Sequence, residues 1–161
     1  MSMSKTRFNH VTIYCKDRGE LEQFYTEVFD LERVQEPNLG NPIIWLRCGD
    51  QQLHIVERDT QPPQYHHFAL TVADFDRVFE LAVEGEYFDT ILAPDHGLPI
   101  YELPDGAVQM YLRDPAGNLV EVDHPDIDSI AESIRNHVQK RSDRHKQSDA
   151  QAEATLFMNT R

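Results

Sequence analysis

Three histidines, His10, His54 and His67, and one glutamate, Glu121, fall at related places in a chain of 161 residues. Together they carry the chemistry of a metal site. Neutral imidazole nitrogen and carboxylate oxygen suit a divalent transition metal: Fe(II) or Mn(II) first, with Zn, Ni or Co as alternatives. Without thiolates the set does not resemble a closed structural zinc site. A two-histidine, one-carboxylate set leaves open positions for substrate and oxygen. A single histidine on a strand more often decorates a solvated edge. What singles out this quartet is its placement on equivalent elements of two repeats.

Those elements can be read from periodicity. "FNHVTIYC", residues 8–15, alternates with period two and predicts a strand. Leu21, Phe24, Tyr25, Val28 and Leu31 then follow i, i+3, i+4 spacing, which predicts an amphipathic helix with Asp17 as its cap. "NPIIWLRCGDQQLHIVERD" reads as two strands around a Gly49-Asp50 turn, and the proline-rich "DTQPPQ" as a linker. The pattern restarts with the strand "HHFALTV", the helix "ADFDRVFELAVE" and a strand pair in "VQMYLRDPAGNLVEVD". His10 precedes Asp17 by seven positions, as His67 precedes Asp74. A repeat of this length is too long for a solenoid unit. The expected fold is α+β: two βαβββ modules, about 7–59 and 65–124, forming one paired domain over 7–125. Residues 126–161 follow as a C-terminal helix and tail, with Ile127, Ile130, Ile134 and Val138 as its apolar stripe and Leu156, Phe157 and Met158 as a docking group.

A sheet covered by a helix on one face must turn apolar side chains toward it. Val11 and Ile13, Leu53 and Ile55, Phe68, Leu70 and Val72, and Val120 and Val122 meet that need. The same parity, applied four times, sends His10, His54, His67 and Glu121 to the opposite face. His66 falls on the helix side, or at its edge. Gln109, Tyr111 and Arg113 share the ligand face, with Arg113 expected to pair with Asp114 or another carboxylate, or to bind an anion.

The formal net charge of -13 repels phosphate backbones and anionic lipid, so neither nucleic acid nor membrane is an expected partner. No apolar run approaches membrane-spanning length, and "MSMSKTRFNH" has no apolar signal core, so a cytoplasmic protein is expected. Cys15 and Cys48 have no metal or redox spacing and share parity with core residues, as buried thiols do.

At "FNHVTIYCKDRGELEQFYTEVFDLERV", "HHFALTVADFDRVFEL" and above all "YLRDPAGNLVEVDHP", the chain resembles the vicinal oxygen chelate superfamily, which includes glyoxalase I, extradiol dioxygenases, fosfomycin-resistance transferases and bleomycin-binding proteins. The resemblance implies an open barrel around a metal held by His10, His67 and Glu121, with His54 where glyoxalase I commonly has a glutamate. It implies a small-molecule substrate chelated through adjacent oxygens, and often a homodimer in which the halves of one site can come from different chains. Tyr111, ten positions before Glu121, matches a tyrosine of extradiol dioxygenases and fosfomycin-type transferases, and is the candidate proton donor. An extradiol-type ring-cleaving dioxygenase is the first expectation. A glyoxalase- or epimerase-like isomerisation is the second, because a fourth ligand at His54 would leave two open positions. A non-enzymatic antibiotic-binding protein is the third. Tyr101 and His96 lie in the segment 93–107, expected to be a loop over the cavity mouth.

Overall fold

The computed structural model describes residues 6–157. The fold is α+β, with two open mixed sheets, as the periodicity predicts. The chain divides into two compact units: the residues up to His66 together with Asp114–Asn118, and His67–Arg113 together with the residues from Leu119 onward.

The first unit contains strand β1 (His10–Cys15), helix α1 (Arg18–Phe29), and strands β2 (Glu32–Val34), β3 (Ile43–Cys48) and β4 (Gln51–Glu57). Its sheet runs β1-β4-β3-β2. The β1–β4 pair is parallel, with Thr12 opposite His54, and β3–β4 is an antiparallel hairpin turning at Gly49, whose φ of 61° suits a residue without Cβ. Asp17 caps α1 by accepting from the amides of Gly19 and Glu20, so two otherwise unsatisfied N–H groups are paired. The helix turns Leu21, Phe24, Tyr25 and Val28 inward, and Ile13, Ile44, Leu46, Leu53 and Ile55 complete the core.

The segment Asp114–Asn118 folds as part of this unit. Asp114 is almost wholly buried, and its carboxylate collects four hydrogen bonds here: from the Tyr25 hydroxyl at 2.8 Å, the Ala116 and Asn118 amides and the Asn118 side chain. Asn118 also donates to the Tyr14 carbonyl at 3.2 Å. Burial still pushes Asp114 above the usual carboxylate range against those four donors. Aspartate belongs here because one side chain must both close the turn and accept a hydrogen bond from a buried phenol.

The second unit repeats the plan with strand β5 (His67–Thr71), helix α2 (Phe75–Glu84), and strands β6 (Ile100–Glu102), β7 (Val108–Arg113) and β8 (Leu119–His124). Its sheet runs β5-β8-β7-β6, extended by strand β9 (Gln139–Lys140). Asp74 caps α2 through the Arg77 amide. Val108, Met110, Leu112, Val120 and Val122 are wholly buried.

Two expectations need correction. The segment 93–107 is not all loop, since Ile100–Glu102 pairs with β7 and both Ile100 and Tyr101 are buried. Nor does one continuous helix follow the repeat. Residues 127–129 form a 3-10 turn, and helices α3 (Glu132–Arg135), α4 (Arg141–Arg144) and α5 (Asp149–Ala152) each last about one turn. Only Ile130 and Ile134 of the expected stripe are fully buried. The free edge of β6 instead takes residues 139 and 140 as a parallel strand. An unpaired edge offers backbone partners that compete with a short, weakly nucleated helix. Of the expected docking group, Leu156 is about half exposed, Phe157 is partly buried, and Met158 lies outside the described residues. Cys15 is buried and Cys48 is partly so.

Candidate metal centre

The first unit brings two of the candidate side chains together. Parallel pairing sets β1 beside β4, and the imidazoles of His10 and His54 stack with centroids 4.2 Å apart and planes 17° apart. Trp45, opposite His54 on β3, covers the other face of His54 at 4.5 Å and 3°. His54 is thus the middle ring of three. It is buried, while His10 is exposed. Its Nε2 meets Gln52 Oε1 at 2.8 Å, and burial, followed by His10, pushes its pKa down, so the ring is neutral.

The stack restricts what these two rings can do. An imidazole lone pair lies in the plane of its ring. Two nearly parallel, stacked planes share no point to which both lone pairs can be directed. Both rings could serve one cation only if one of them turned out of the stack. His10 is the accessible member.

The second unit brings together His67 and Glu121. Their Nε2 and Oε2 atoms are 3.1 Å apart, the separation expected of neighbouring ligands about 2 Å from one cation. Gln109 donates to the other oxygen, Oε1, at 2.8 Å. Tyr111 lies directly opposite Glu121 in the β7–β8 register. Burial, then the Glu121 charge, holds the Tyr111 phenol well above its ordinary value, so it keeps its proton at neutral pH. The edge of Tyr111 meets the His67 ring at 5.9 Å and 86°.

Asp123 is the neighbour that sequence reasoning did not nominate. It is nearly fully buried and lies two residues beyond Glu121 on the same face of β8. Burial, then Glu121, pushes it up to about 7, while Gln109 pulls it down. Its Oδ1 has no hydrogen-bond partner. The "EVD" alternation was the available signal: period two places Glu121 and Asp123 side by side. Arg113 pairs not with Asp114 but with buried Asp89, at 2.8 Å. His124 is engaged at both nitrogens, by the Val72 carbonyl and the Ser129 hydroxyl.

Among the described residues, no three His, Cys, Asp or Glu side chains are gathered closely enough to hold a metal ion. The candidates come as pairs, His10 with His54 and His67 with Glu121. The donor chemistry of the second pair fits a divalent cation, with one carboxylate oxygen beside a ring nitrogen and an unpartnered carboxylate oxygen on the same face.

Two such sheet-and-helix units, with histidine and glutamate on their non-helix faces, define a class. Residues 7–122 match the family model of the Glyoxalase/Bleomycin resistance protein/Dioxygenase superfamily, and the chain belongs to that superfamily. Its members typically use divalent metals, bind small molecules and often form dimers.

Among solved structures, a lactoylglutathione lyase from Agrobacterium tumefaciens is 28% identical, with 75% of this chain and 95% of that one covered and a TM-score of 0.50. The fosfomycin resistance protein FosX from Listeria monocytogenes is 16% identical, covering 78% and 98%, at a TM-score of 0.60. The oxidase ChaP-H2 is 24% identical, covering 75% and 94%, at 0.59. The last two likenesses are of fold. No functionally curated protein sequence matches the chain. No helix of the described residues is long and apolar enough to cross a membrane.

Proposed function

We propose that this protein is a metal-dependent enzyme that chelates a small substrate through adjacent oxygens, and that it is a ring-cleaving dioxygenase of extradiol type. The observation that carries this reading is the His10–His54 stack. It argues for His10, His67 and Glu121 as the ligand set, with His54 buttressing His10. Three protein ligands leave three positions of a six-coordinate metal free, enough for two substrate oxygens and dioxygen. The two halves of the set come from one chain or from two copies in a homodimer. Bound there, Fe(II) or Mn(II) would supply Lewis-acid polarisation and redox chemistry toward oxygen.

The remaining roles belong to the protein. Gln109 fixes one oxygen of Glu121 and leaves Oε2 directed beside His67. His54, itself backed by Trp45, stacks on the His10 ring and favours one plane for it. Tyr111 holds a proton on its phenol oxygen next to Glu121 and can donate it to a developing oxyanion.

The test is anaerobic loading of the full chain with Fe(II), addition of catechol, and oxygen uptake measured on readmission of air. Uptake with a ring-opened product is expected, and Tyr111→Phe should slow it by about 100-fold at unchanged metal content. The lyase likeness at 28% identity favours the second reading, a glyoxalase-type isomerisation. Turnover of the glutathione hemithioacetal of methylglyoxal with Ni, Co or Zn, and no oxygen uptake with iron, would replace the first reading by the second.

A further inference from the structure

The segment beyond the repeat brings a cation to the candidate site's face of the second unit. Strand β9 adds Gln139 beside Tyr101 and Lys140 beside Glu102. Arg141 follows immediately, with its guanidinium carbon 3.7 Å from the centroid of the Tyr101 ring. Tyr101 lies opposite Gln109, which lies opposite Asp123, so Tyr101 shares the face of Gln109, Tyr111 and Glu121. Its ring meets that of Tyr111 edge-on at 6.2 Å.

Arg141 differs from Arg113, another part-buried arginine of this unit. Arg113 is tied to Asp89, whereas Arg141 has no carboxylate partner among the described residues. A planar fork of five donors rests on an aromatic face with its charge uncompensated. It also forms one wall of a cavity of about 380 Å³, whose other walls include Leu103, Pro104, Gln151, Thr155 and Leu156. Arg141 is the sole charged residue in that lining. A mostly apolar cavity with one fixed cation has the chemistry of an organic monoanion site.

We infer that Arg141 is a substrate-binding, specificity-determining residue, and that the substrate carries a carboxylate on an apolar body in addition to its adjacent oxygens. The link to those oxygens rests on the proposed function above. A carboxylate is favoured over a phosphate because the guanidinium fork matches its two oxygens, while Glu121, Asp123 and a net charge of -13 oppose a dianion more strongly.

The probe is benzoate, titrated calorimetrically into the metal-free full chain at low ionic strength, with neutral benzamide as the comparison. Benzoate should bind and benzamide should bind far more weakly. Arg141→Gln should weaken benzoate about tenfold or more, and Arg141→Lys should recover part of the loss, since it keeps the charge and loses the fork. Equal binding of the two probes, no benzoate binding, or unchanged affinity in Arg141→Gln would overturn the assignment. Catechol and 3,4-dihydroxybenzoate are then compared on Fe(II)-loaded and metal-free protein under anaerobic conditions. The carboxylated diol should bind more tightly than catechol, and only while Arg141 is present. If loading improves neither, the metal reading fails while the Arg141 result stands.

Discussion

Replacing His54 by phenylalanine and, separately, by alanine distinguishes a ligand from a buttress. The imidazole lies between Trp45 at 4.5 Å and His10 at 4.2 Å. Each ring contact is worth about 0.5–1.5 kcal/mol beyond area burial, so alanine forfeits about 1–3 kcal/mol of stacking. It also opens a void on a buried position. Phenylalanine keeps both ring contacts and loses only the Gln52 hydrogen bond, about 1 kcal/mol. Neither replacement can donate a lone pair to a metal. If His54 acts by holding His10, metal affinity in the alanine variant should fall by about tenfold, within the range for removing a ligand's supporting partner. The phenylalanine variant should stay near wild type. Fe(II) titration of the metal-free protein, followed by anaerobic calorimetry, measures both. Equal and severe losses in the two variants, matching that of His67→Ala, would refute the reasoning and restore His54 as a ligand.

Two further outcomes follow from buried groups in the first unit. Tyr25→Phe removes a 2.8 Å hydrogen bond to the buried Asp114 carboxylate and should cost about 1.5–3 kcal/mol in denaturant unfolding, with an unchanged midpoint speaking against that bond as a net stabiliser. Burial, then Glu57, pushes the Cys15 thiol from 9.0 up to about 11, so the folded chain retains a proton that the unfolded chain releases. Its contribution to stability should therefore fall as pH rises from about 9 through 11, and Cys15→Ala should flatten that part of the unfolding-midpoint profile. A profile identical to wild type would contradict the assignment to Cys15.

The repeat was legible because period-two strands and i, i+3, i+4 helices were both clean. Asp17 and Asp74, seven residues after His10 and His67, are both helix caps, as the spacing suggested. The tail was misread because an isoleucine every three or four residues looks helical wherever it occurs. Nothing local announces that the edge of β6 will take residues 139 and 140. The sequence leaves Arg113 a choice of carboxylates, and the folded chain settles it by bringing Asp89 from 24 positions away. Period two sets Asp123 on the face of Glu121, but its burial depends on packing across the sheet, which periodicity does not record.

Strand parity alone sorted His10, His54, His67, Tyr111 and Glu121 onto the faces opposite the helices, because a strand has only two sides and one must bury apolar groups. Parity says which way a side chain points, and nothing about the plane of its ring or the group beside it. The tertiary structure decided that His54 is pressed between two rings, that Gln109 binds Glu121, and that Arg141 rests on Tyr101. Those outcomes depend on register between strands distant in sequence and on rotamers chosen by packing, and local periodicity carries no record of either.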